Sequence, residues 1–149
     1  MGYADIRTEV EELVGEINGN HATMARAAVH LFNRSHAFDE LISLYRLADV
    51  MVVTPFRDDM NLVAKEYVAT RQDKSGVLVL SELAGAAHQL PQAVLVNPYD
   101  IEGLEESIEF TVAMPMDEQA RRMSKMLDTV STNTAHTWAQ TFLDELEQQ

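Results

Sequence analysis

The chain has 149 residues, 46% hydrophobic and 23% charged, a composition that suits a soluble globular domain with one buried core. Its 24 acidic and 11 basic side chains give a formal net charge of −13, which argues against DNA, RNA or an anionic membrane surface as partner, because those are bound by displacing counterions with positive charge. Cysteine is absent, which excludes disulfides and thiolate metal sites; the start, MGYADIRTEV, lacks the apolar run of a signal peptide, and no stretch reaches the ~18 apolar residues of a membrane span, so the expected compartment is the cytoplasm.

Ile6, Val10, Leu13, Val14 and Ile17 recur at helical spacing and Asn18–Gly19 supplies a stop, so the opening reads as an amphipathic helix with one face to bury. Val29 to Phe32 is short and apolar and is expected to be a strand. Phe38, Leu41, Ile42 and Tyr45 return to helical spacing, and Val50 to Val53 is a valine-rich strand. A helix is expected from about Met60 to Arg71. The run GVLVLS after it has no alternation and suits a strand covered on both faces. AVLVNP follows as another strand, then Asp100 caps a helix carrying Leu104, Ile108 and Val112 up to Met114 and Pro115. Met123, Met126 and Leu127, then Ala135, Trp138, Phe142 and Leu146, read as one broken helix or two consecutive ones. Strands alternating with helices in this way imply an α/β fold with a doubly wound, Rossmann-like parallel sheet.

Ligands of such sheets bind beyond the carboxyl ends of the strands, so the turns after the apolar runs carry the information. They read TPFRDDMNLVAKEYVATR, SELAGAAHQL and NPYDIEGL. The helix opening at Met60, Asn61, Leu62 and Val63 offers free backbone amides and a dipole that favour an anion. Asp58 is either a cap for that helix or a ligand contact, roles that are compatible. Taken alone, Glu66 reads as a solvated helix residue and Lys65 as a surface lysine, while Arg57 adds positive potential at the turn. Ala84, Gly85, Ala86 and Ala87 let the chain pass close to a ligand or a neighbouring element. His30, His36, His88 and His136 have no mutual spacing that suits a metal, so no metal or other cofactor is expected.

In order and spacing these turns resemble the trehalose-6-phosphate synthase family, and the similarity runs from LVGEING to HTWAQTFLDEL. The resemblance implies a metal-independent, retaining glycosyltransferase of the two-Rossmann-domain (GT-B) kind, with this chain as most of the C-terminal, donor-binding domain over residues 1–149. It implies a nucleoside diphosphate sugar such as UDP-glucose as ligand, with Asp58 on sugar hydroxyls, Glu66 on the ribose, backbone amides of Met60, Asn61, Leu62 and Val63 on the diphosphate, and Arg34 near the base. Two departures stand out. The family's RDGMN is RDDMN here, so Asp59 replaces a glycine, adding a charge beside the diphosphate and backbone strain if φ is positive there. The family's N-terminal acceptor domain and two donor-domain strands, bearing an arginine and a lysine for the diphosphate, have no counterpart in the sequence. The chain is therefore expected to be inactive alone, its partner being the absent portion or a second copy. A pseudo-glycosyltransferase that joins cyclitols through nitrogen and a non-catalytic interaction module are the competing readings.

Overall fold

A computed structural model describes residues 2–133, so Ala135, His136, Trp138, Phe142 and Leu146 lie outside the described residues. The chain divides into two compact units, Met1–His36 and Ala37–Gln149.

The first unit contains α1 (Tyr3–His21), the helix expected from the Ile6–Ile17 periodicity. Ile6, Val10, Leu13 and Ile17 remain 39–52% exposed, so the apolar stripe is only half covered. Val29 to Phe32 is not a strand. A strand needs a neighbour to complete its ladder, and among the described residues this segment has none. Its main chain is tied down by a side chain instead: Asn18 Oδ1 accepts from the amides of Ala28 (2.8 Å) and Val29 (2.9 Å), and Asn18 Nδ2 donates to the Val29 carbonyl (2.9 Å). Asn18 and Gly19 do not stop the helix as expected, since α1 continues to His21; Asn18 instead anchors the chain beyond it.

In the second unit the chain runs α2 (Phe38–Leu47), β1 (Val50–Val53), α3 (Leu62–Thr70), β2 (Val77–Ser81), α4 (Ala86–Gln89), β3 (Val94–Val96), α5 (Ile101–Val112) and α6 (Met116–Thr132). The three strands form a parallel sheet in the order β1-β2-β3, with Val50 opposite Val77 and Val79 opposite Val94. All five residues of β2 are buried, as its unbroken apolar run requires. Leu78 and Leu80 join Tyr67, Val68, Met123 and Met126 in one core with α3 and α6, while Val77 and Val79 belong to the other face, which α5 spans. Each fully buried side chain of this size contributes about 1.5–3 kcal/mol through burial. Asp100 caps α5 as expected, accepting from the Gly103 amide at 3.0 Å. No helix among the described residues is long and apolar enough to cross a membrane.

Parallel strands in sequential order bring every strand-to-helix turn to the same end of the sheet. The three turns singled out in the sequence are those turns.

Candidate functional site

The turn from β1 to α3 is organised by two polar side chains. Asn61 has φ 47° and ψ 75°, the left-handed conformation that asparagine tolerates better than most residues, and is buried at 7% exposure. Its Oδ1 accepts from the Ala64 amide at 2.9 Å, making it the N-cap of α3. Asp58 holds that cap in place: Oδ1 accepts from the Asn61 amide (3.2 Å) and Oδ2 from Asn61 Nδ2 (2.8 Å). Asp58 is therefore not itself the cap but the group that locks it.

This arrangement determines which amides are available to an anion. The Asn61 amide is occupied by Asp58 and the Ala64 amide by Asn61. Among the described residues the amides of Met60, Leu62 and Val63 have no acceptor, and the side chains of those three residues are exposed. Both oxygens of Asp58 are already engaged, yet each keeps lone-pair capacity for a further donor.

Asp59 lies in the same turn with an exposed side chain. Its φ is not positive; the left-handed residue is Asn61, two positions on, so the backbone strain expected for a glycine replacement does not arise. The added negative charge beside the helix start remains.

The second turn meets the first directly. The Gly85 amide donates to the Asp58 carbonyl at 2.9 Å, and Asp58 forms a parallel bridge with Ala84. Arg57, Asp58 and Asp59 on one side and Glu82, Leu83, Ala84, Gly85 and His88 on the other line a single hollow. The small residues of GAA thus admit a neighbouring element, which is the Asp58–Asp59 main chain. Glu82 and His88 were not among the site residues expected from sequence; their position in the turn after β2 was the available signal, and an exposed histidine by itself points nowhere.

Glu66 lies one turn into α3, half-buried, outside that hollow. Its Oε2 accepts from the Tyr45 hydroxyl at 3.1 Å, which ties α3 to α2. Burial, reinforced by the hydrogen bond and the charge of Glu66, pushes the Tyr45 hydroxyl up to about 12, so it donates to the carboxylate across the physiological range. Arg34 belongs to the first unit, where it is exposed. Among the described residues no group of three or more histidine, aspartate or glutamate side chains is placed to hold a metal ion.

In the NPYD turn, the Tyr99 ring meets Phe56 at 4.8 Å between ring centres and a 31° tilt, both largely exposed, so the turns after β1 and β3 also touch.

The sequence matches glycosyltransferase family 20 over residues 1–148. A trehalose-6-phosphate synthase of Mycobacterium leprae (strain TN) is 47% identical over 97% of the chain, which spans 29% of that protein. A UDP-forming alpha,alpha-trehalose-phosphate synthase of Candida albicans is 43% identical, again over 97% of the chain and 30% of the relative. Among solved structures, the E. coli protein bound with UDP-2-fluoro glucose superposes with a TM-score of 0.93 at 38% identity, covering 100% of this chain and 33% of that one. A Burkholderia xenovorans UDP-forming synthase in complex with glucose-6-phosphate gives 0.90 at 40% identity, covering 97% and 32%. The chain thus spans about a third of the length of the relatives it matches. Its α/β fold with a parallel sheet is that of the corresponding part of a GT-B glycosyltransferase. With the three motif-bearing turns at one end of the sheet and the match continuous through all of them, the chain belongs to glycosyltransferase family 20.

Proposed function

We propose that this chain is the donor-binding part of an α,α-trehalose-phosphate synthase, a cytoplasmic enzyme that transfers glucose from a nucleoside diphosphate to glucose 6-phosphate. The observation that carries the reading is the locked start of α3: Asp58 fixes Asn61, Asn61 caps the helix, and the amides of Leu62 and Val63 stay open. A diphosphate placed there meets N–H donors and the positive end of the helix dipole. Asp58 accepts from sugar hydroxyls and Glu66 from the ribose diol, since ionised carboxylates form strong hydrogen bonds with hydroxyl donors. The diphosphate then leaves as the acceptor hydroxyl attacks from the same face of the sugar, and no side-chain nucleophile takes part. The acceptor site and the cations that neutralise the diphosphate come from the portion of the relatives to which this chain has no counterpart, or from another polypeptide.

Calorimetric titration of the purified chain with UDP-glucose and GDP-glucose tests the donor assignment. Saturable binding that is lost in Asp58→Ala supports it; a folded chain that binds neither nucleotide sugar overturns it. The chain alone is expected to give no turnover with glucose 6-phosphate, and product formation by it would refute that part of the proposal.

A second reading, a non-catalytic interaction module, is favoured by one observation: the exposed carboxylate of Asp59 beside the diphosphate position. Absence of binding by both the wild-type chain and a folded Asp59→Gly variant would select it.

A further inference from the structure

We propose that Gly85 is a positioning residue for the donor site, clamping the Asp58–Asp59 main chain so that the amides at the start of α3 are held in one direction. The proposal rests on the donor-binding reading above and adds the residue that sets the geometry of that turn.

The glycine is not required by its own conformation. At φ −59° and ψ −28° Gly85 lies in the right-handed helical region that every residue adopts. What requires it is proximity: a Cβ at this position would lie 1.7 Å from the Asp59 carbonyl oxygen and 2.9 Å from its carbonyl carbon. Cβ contacts below 3.0 Å essentially never occur, so an added methyl forces a displacement of more than an ångström, against main chain rather than a flexible side-chain tip.

Neither partner yields easily. Behind Gly85, Ala84 and Ala86 are 1% exposed and Ser81 is fully buried, with its Oγ accepting from the Leu83 amide (3.1 Å) and its carbonyl from the Ala84 amide (3.1 Å). In front, the Gly85 amide holds the Asp58 carbonyl at 2.9 Å while the Asp58 carboxylate holds Asn61. A shift of the Asp59 peptide therefore passes through Asn61 to Leu62 and Val63. The second turn touches no diphosphate in this scheme; it acts by fixing the turn that does.

The test compares Gly85→Ala with Gly103→Ala in the full chain, by hydrogen exchange without ligand and by UDP-glucose titration. Gly103 is the control because a Cβ there meets only the Asp100 carboxylate, at 2.5 Å, at the start of α5. Faster exchange at the Asn61 and Ala64 amides in Gly85→Ala, with the protection of β2 and α6 retained, is the expected result. UDP-glucose affinity should fall at least about tenfold in Gly85→Ala and stay within about twofold in Gly103→Ala. Unchanged exchange at Asn61 and Ala64, or equal losses of affinity in both variants, would overturn the clamp. If the wild-type chain binds no UDP-glucose, the donor reading fails, and the exchange comparison still decides the clamp. If Gly85→Ala does not fold, native-state exchange of the wild type in graded denaturant replaces it. Gly85 and Asn61 amides that open together support the clamp, and amides that open independently refute it.

Discussion

Asn61 combines a cap with an uncommon backbone conformation, and the two contributions separate by mutation. Asn61→Ala loses the bond to Ala64 and puts a Cβ without a polar partner into the left-handed region, so it is expected to destabilise the chain by about 1–3 kcal/mol. Asn61→Gly relieves the backbone and is expected to cost only a few tenths of a kcal/mol beyond the lost Asp58 contact. Urea unfolding of the pair checks the order; equal losses would mean that the cap bond, not the conformation, dominates. On the proposed donor role, the effect at Asp59 is expected on binding. Removing its charge in Asp59→Gly or Asp59→Asn is expected to tighten UDP-glucose affinity roughly two- to fivefold, the scale of a charge near a helix end, with a weaker effect at high salt. No change in calorimetric affinity at low salt would show that Asp59 does not face the ligand. Much of this site is legible in RDDMN, because aspartate and asparagine ahead of an apolar run announce a helix start. Which of them caps is not legible: both types serve, and only the left-handed φ of Asn61 and the bonds from Asp58 decide it.

At the level of elements, the fully buried β2 and the Asp100-capped α5 were readable because an unbroken valine–leucine run and an aspartate before a periodic segment each have one local explanation. Val29 to Phe32 has the same local character as a strand and fails for a non-local reason: a strand exists only with its ladder, and composition does not say whether a neighbour is present. Arg71 was likewise invisible as a structural residue. It is 3% exposed and gathers the end of α2 and the turn into β2, donating to the carbonyls of Tyr45 (3.4 Å), Arg46 (2.5 Å) and Ser75 (2.9 Å), to the Ser75 hydroxyl, and reaching Asp73 at 3.5 Å. Arg71→Met leaves those buried acceptors unmet and is expected to cost about 3–5 kcal/mol, measurable by urea unfolding; a loss below about 1 kcal/mol would mean water replaces the guanidinium. The α2–α3 contact also predicts an alkaline transition. Burial pushes the Tyr45 and Tyr67 hydroxyls from 10.0 up to about 12, in Tyr45 with help from Glu66 and in Tyr67 against the opposing charge of Arg71. A raised pKa of this kind gives stability that is intact below pH 10 and lost as pH rises from 10 towards 12. Tyrosinate absorbance should therefore show a late phase that coincides with unfolding, and Tyr45→Phe should remove part of it.

For the molecule as a whole, charge and an open sheet edge oppose each other. Among the described residues β1 is paired on one side only, and Val52 is 41% exposed on it, a surface suited to adding a strand. A net charge of −13 keeps copies of the chain apart at low salt. Light scattering is expected to show self-association that increases with salt as repulsion is screened, and Val52→Lys is expected to suppress it; a chain that stays monomeric at every salt concentration would mean the edge is covered. The contact between the two turns also bears on which sequences this fold can tolerate. Gly85 touches Asp59 only through the main chain, so position 59 is free to vary in side chain while position 85 is closed to anything larger than hydrogen. Of two residues in one contact, one is expected to accept a new side chain without loss of folding and the other to resist it. On the proposed donor role, a charge at position 59 is compatible with the scaffold, and substitution there is expected to alter affinity for an anion more than it alters stability.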